Sequence, residues 1–103
     1  MSRTVLVLFL FTGPLFLGAC SISPRPTQQM IYASAAIKAA AYVNAERLSP
    51  DAFRRAENAY WQAKKFYLLK EFDLADKFAK HTQRLAEEAE LKAEIKALSS
   101  STY

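Results

Sequence analysis

From Cys20 to Tyr103 the chain contains no glycine; both of its glycines, Gly13 and Gly18, stand before that point. Glycine takes positive φ without steric cost, and the tight turns of hairpins lean on it. The glycine-free stretch is rich in alanine, lysine and glutamate, which are among the strongest helix formers. Proline interrupts it only at Pro24, Pro26 and Pro50. The expectation is an all-α fold, a short antiparallel bundle of two to three helices.

Residues 20–26 read as a tether, because Pro24 and Pro26 favour extended backbone and the serines keep it wet. A helical domain over 27–98 follows. Its first helix spans about 27–47, with Thr27 as a plausible N-cap. Ile31, Ala35, Ala39, Tyr42 and Glu46 recur on it at helical spacing, and Tyr32, Ala36, Ala40 and Val43 form a neighbouring row. Leu48-Ser49-Pro50-Asp51 is a stop and a restart: Ser49 suits a cap, Pro50 the first helical position and Asp51 the positive end of the helix dipole. The second helix spans about 50–69, with Ala52, Ala56, Ala59, Ala63 and Phe66 inward and Phe53, Tyr60 and Tyr67 beside them. Lys70-Glu71 is read as a tight turn with Lys70 in the left-handed conformation. The third helix spans about 72–98. Ala75, Phe78, Thr82, Leu85, Ala89 and Lys92 share one row, and Leu74, Ala79, Ala86 and Ala93 widen it. Asp73–Lys77, Asp76–Lys80 and Glu88–Lys92 are spaced to pair along its exposed face. Residues 99–103 read as a polar tail.

The start of the chain is different material. Arg3 is its only charge before Arg25, Val5 to Phe11 is an unbroken apolar run, and Leu15-Phe16-Leu17 continues it after Gly13-Pro14. A basic start, an apolar centre and small residues before a cut are the layout of a secretory signal, here residues 1–19. The run is short for a membrane span of roughly 20 apolar residues. Leu17-Gly18-Ala19-Cys20 resembles the lipobox of bacterial lipoproteins: an aliphatic residue, two small residues, then cysteine. That resemblance implies a diacylglyceryl thioether on Cys20, cleavage after Ala19 and palmitate-like acylation of the new amino terminus. Sulfur suits the first step, being the most nucleophilic side-chain atom near neutral pH. Ser21, where an aspartate would retain a lipoprotein in the inner membrane, points by the same resemblance to the outer membrane, facing the periplasm. An ordinary cysteine after a general signal-peptidase cut, and an uncut anchor, are the competing readings of this segment.

The stretch from Ser49-Pro50 to Lys92 resembles a family of short, alanine-rich envelope lipoproteins with a domain of unknown function. Their pattern is a helix opening at Ser/Thr-Pro, spaced alanines, a Gly-Asp-Tyr-like turn and a second alanine-spaced helix. Lys70-Glu71-Phe72 stands at that turn without the glycine. The same hairpin is similar to a single tetratricopeptide repeat through Ala63, Phe66, Phe72 and Ala75, with Thr82 where a small alanine is usual. The first resemblance implies a structural or adaptor role in the envelope and the second a periplasmic protein-binding or chaperone module.

The lone cysteine rules out an internal disulfide, so a small domain of this kind has a thin core and leans on tidy packing, self-association or a partner. Of the 14 basic residues one, Arg3, lies in the leader, which leaves 13 against 10 acidic ones. A balance that mild describes a solvated helical surface rather than a nucleic-acid binder. His81 has no second histidine or cysteine at metal-ligand spacing, so no metal or other cofactor is expected. Nothing in the sequence has the pattern of a phosphate loop, a catalytic constellation or a small-molecule site. The residues expected to matter are Cys20 for attachment to the membrane through lipid, and Tyr60, Trp61, Lys64 and Lys65 for contact with a partner. Aromatics beside lysines suit a partner protein or lipid headgroups; packing at the rim of the core is the plainer reading.

Overall fold

The computed structural model describes residues 24–101. The protein is all-α, with four helices and no strand among the described residues. Helix α1 is Thr27–Tyr42, α2 the single turn Ala45–Leu48, α3 Pro50–Leu68 and α4 Phe72–Ser101. The α4 helix is the spine: α1 and α3 both lie along it and touch each other far less. The expected leader, Cys20 and most of the expected tether lie outside the described residues.

What lets the helices close on one another is the size of the seam residues. Of the thirteen buried apolar residues among those described, all but Phe53 are alanine. On α3 these are Ala52, Ala56, Ala59 and Ala63; on α4 they are Ala75, Ala79, Ala86, Ala89 and Ala93. Ala33, Ala63 and Ala79 meet where α1, α3 and α4 converge, walled by Met30, Tyr60 and Phe78. A second cluster joins Ala40, Ala45, Ala52, Phe53, Ala89 and Ala93 at the other end, with Ile37, Val43 and Leu48 around it. Bulk therefore sits at the margins, where Phe66 stacks on Phe78 with centroids 5.3 Å apart. Buried alanine brings little transfer energy, about 0.8 kcal/mol per carbon group, but it is the best helix former. Thr82 is also fully buried, and its hydroxyl donates to the Phe78 carbonyl one turn back at 2.7 Å.

Two left-handed residues do the work of the missing glycines. Lys70 has φ 61°, as its position predicts. The Lys70 amide donates to Tyr67 O at 3.1 Å and the Glu71 amide to Phe66 O at 2.9 Å, the paired bonds of a Schellman cap. Asn44, at φ 61° and ψ 33°, is the second. It corrects the expected helix over 27–47: α1 ends at Tyr42, and a new turn starts at Ala45. Asparagine tolerates this conformation better than most residues.

Four further expectations change. Thr27 does not cap α1; Pro26 stands there, and the Thr27 hydroxyl lies 3.2 Å from the Tyr67 hydroxyl. Ser49 sits at the N-cap of α3, yet its buried hydroxyl turns to α4 and donates to Ala89 O at 2.8 Å. The row Ile31, Ala35, Ala39, Tyr42 and Glu46 faces solvent; α1 packs through Ala40, from the neighbouring row, and through Ala33, which stood in neither row. The α4 helix also runs beyond 98, because the hydroxyls of Ser100 and Ser101 return to the carbonyls of Lys96 and Leu98. Its 30 residues span about 45 Å, and no residue after Ala93 is buried in the described stretch.

Two substitutions test the seam and the turn. Ala79→Leu forces extra methylenes into the meeting point of three helices and is expected to cost about 1–3 kcal/mol in a denaturant titration. Lys70→Gly relieves the left-handed strain and is expected to raise stability by about 0.5–1 kcal/mol; a loss would show that the lysine side chain itself holds the turn.

Candidate docking surface

Helix α3 turns one face to α4 and the opposite face to solvent. Between α1 and α3 an open groove of about 500 Å³ is left, the direct result of both helices leaning on α4 rather than on each other. Met30, Ile31, Ala35 and Lys38 form its α1 side, and Tyr60 and Tyr67 its α3 side. These walls offer methyl groups, phenol rings and one ammonium group; they hold no carboxylate, imidazole or thiol.

The structure brings three of the four expected contact residues together. The Lys64 ammonium stands 4.6 Å above the centre of the Tyr60 ring and 5.1 Å from that of Trp61. A cation over two rings is attracted by both quadrupoles, and at an exposed site each contact contributes about 0.5–1 kcal/mol. The four residues part company in burial. Tyr60 is half-buried against the Ala33–Ala63–Ala79 cluster, so the plainer reading, rim packing, describes it well. Trp61 is 67% exposed, and Lys65 is exposed one turn further on.

Sequence reasoning missed what continues this face. Leu68 is 80% and Leu69 58% exposed. They follow Trp61 by seven and eight residues, so Trp61, Lys65, Leu68 and Leu69 form one outward stripe. Their spacing is present in the sequence, but it falls beside the inward alanine row. Ile31, in the row expected to pack, is 59% exposed on the facing helix.

Charge is sorted along the fold. Helix α1 contains no acidic residue, and neither does the stretch from Asn58 to Lys70, which carries Lys64, Lys65 and Lys70 between Glu57 and Glu71. The spine α4 holds Asp73, Asp76, Glu87, Glu88, Glu90 and Glu94, six of the ten acids. Two of the three expected pairs on α4 form: Lys80 lies 2.9 Å from Asp76 and Lys92 2.7 Å from Glu88. Arg55 reaches Glu88 from α3 at 3.8 Å. The hydrogen bond from Lys92, followed by its charge, holds the Glu88 carboxyl below the usual carboxylate value; Arg55 adds to this and slight desolvation opposes it. His81 is exposed, and no cluster of histidine, cysteine and acidic residues suited to a metal occurs among the described residues. None of their helices is long and apolar enough to cross a membrane.

Comparison of the chain with protein-family models, with curated proteins and with solved structures finds no match. What the surface is for must therefore be argued from the chain's own residues.

The Glu88 contacts carry a test. A carboxyl whose value is lowered on folding adds stability above its unfolded value and loses it as pH falls through the folded one. Lys92→Ala is expected to move the Glu88 titration, followed by carboxyl-resolved NMR, upward toward the ordinary value. An unmoved midpoint would assign the shift to Arg55.

Proposed function

We propose that this protein is a lipid-anchored bacterial envelope lipoprotein with a non-enzymatic structural or adaptor role, most consistent with the outer membrane facing the periplasm. The observation that carries this reading is Leu17-Gly18-Ala19-Cys20 closing an apolar stretch with no charge between Arg3 and Arg25. The reading is supported by where the described domain starts. Its first helix opens at Thr27, only seven residues after the cysteine, so a lipid on Cys20 would keep the bundle close to the bilayer. Two or three acyl chains anchor firmly where one is marginal.

The adaptor role draws its support from the surface. A groove walled by tyrosines and methyl groups is the kind of surface on which partners find binding energy. The side chains of that groove offer recognition and no activated nucleophile or acid–base pair. Self-association and a separate protein partner both fit this role.

Cys20→Ser is expected to leave an unprocessed precursor that takes up no labelled fatty acid and no longer fractionates with membranes. Globomycin, which inhibits the lipoprotein signal peptidase, is expected to cause wild-type precursor to accumulate. Acyl labelling that persisted in Cys20→Ser, or processing indifferent to globomycin, would overturn the assignment and leave a periplasmic binding module in its place.

A further inference from the structure

Three observations converge on one end of the bundle. The first is where the tether enters. The Arg25 guanidinium stacks over the Phe72 ring, 5.8 Å from its centroid, and the Thr27 hydroxyl meets that of Tyr67 at 3.2 Å. The segment leading back to Cys20 therefore reaches the domain beside the α3–α4 turn. An extended chain advances about 3.3–3.6 Å per residue, so Cys20 lies at most about 15 Å from Pro24.

The second is what that end exposes. Leu68 and Leu69 stand out from the last turn of α3 and its cap. Two adjacent leucines left in water on a domain so short of large buried apolar groups call for a covering surface. Trp61 continues the same stripe two turns back, with Lys65 between. The third is charge: Lys64, Lys65 and Lys70 lie in a stretch, Asn58 to Lys70, that holds no acid, while Glu71 follows at the turn and Arg25 stands beside Asp73 and Asp76 on the other side of it.

We infer that the second half of α3 and its turn lie on the surface of an anionic bilayer. Leu68, Leu69 and Trp61 enter the boundary between headgroups and acyl chains, and the lysines reach phosphate oxygens. Amphipathic helices with lysine beside tryptophan and leucine bind in this way, sinking their apolar face about 5–10 Å. Tryptophan prefers that depth, and long cationic side chains keep their heads in the aqueous layer. A bilayer suits the stripe better than a protein groove does. Its three apolar residues are solvated on a convex helix face, and the cations run alongside rather than ringing a pocket. The inference rests on the anchored reading above, which sets the distance, and adds to it a second attachment that orients the domain.

Trp61 is the only tryptophan and serves as the probe. The mature protein, as the cell makes it, is reconstituted into vesicles of phosphatidylethanolamine and phosphatidylglycerol. Part of the lipid is brominated on the acyl carbons nearest the headgroup. Trp61 emission is expected to shift to the blue and to lose roughly half its intensity to the brominated lipid, given the shallow depth of such helices. It is also expected to resist aqueous iodide. Leu68→Glu together with Leu69→Glu should abolish the quenching while the protein stays with the vesicles through its lipid. Both positions are exposed and the turn is closed by backbone bonds, so circular dichroism should show full helix. Lys64→Gln with Lys65→Gln should weaken the quenching, as should replacing phosphatidylglycerol with phosphatidylcholine.

Anchored protein whose Trp61 ignores the brominated lipid and stays open to iodide overturns the inference. So does a Trp61 that is shielded in native membranes but open in protein-free vesicles, since a partner protein then covers it. Mass spectrometry of the amino terminus reports separately on the anchor. An unlipidated chain that still binds anionic vesicles with Trp61 quenched leaves the surface standing and removes the anchor. An unlipidated chain that fails to bind removes both.

Discussion

The fold depends on how near one helix can come to another. Alanine at nearly every buried position lets α1 and α3 settle on α4 with little between the backbones. Close approach replaces the interlocked leucines and phenylalanines of a conventional bundle as the source of cohesion. It also decides where the large side chains go. Phe66, Phe78, Tyr60 and Met30 are displaced to the edges of the seam, and Trp61, Leu68, Leu69 and Ile31 are left outside it. The exposed apolar surface and the thin interior have one cause.

Charge is spread unevenly around that seam. The spine α4 carries six acids beside five basic residues and binds three cations through the acids, one of them donated by α3. The opposite surface of α3 is cationic and aromatic. Exposed ion pairs of this kind contribute little to stability, so the sorting matters more for orientation near a charged surface than for holding the helices together.

The all-α class, the restart at Ser49-Pro50 and the alanine seam of the α3–α4 hairpin were legible, because spacing and composition agreed there. Lys70 was legible too, since a helical pattern that stops and restarts within two residues needs a positive φ. The face of α1 was not. Apolar residues run nearly all the way round that helix, so Ile31 and Tyr42 fitted a core row as well as Ala33 and Ala40 did, and only contact with α4 separates them. The break at Asn44 left no proline or glycine to mark it. Ser49 looked like a cap in sequence, but its hydroxyl was claimed by a carbonyl forty residues away. Of the four residues expected at a contact, Tyr60, Trp61 and Lys64 stand together and Lys65 is exposed beside them; Leu68 and Leu69 continue the same stripe, but nothing in their residue type sets them apart from core leucines.

A core of methyl groups has a thermal consequence. The heat capacity gained on unfolding follows the apolar area newly wetted, and a methyl group wets little. The curve of free energy against temperature for this domain should therefore be broad and shallow. Neither mild warming nor chilling would then change its free energy of unfolding steeply.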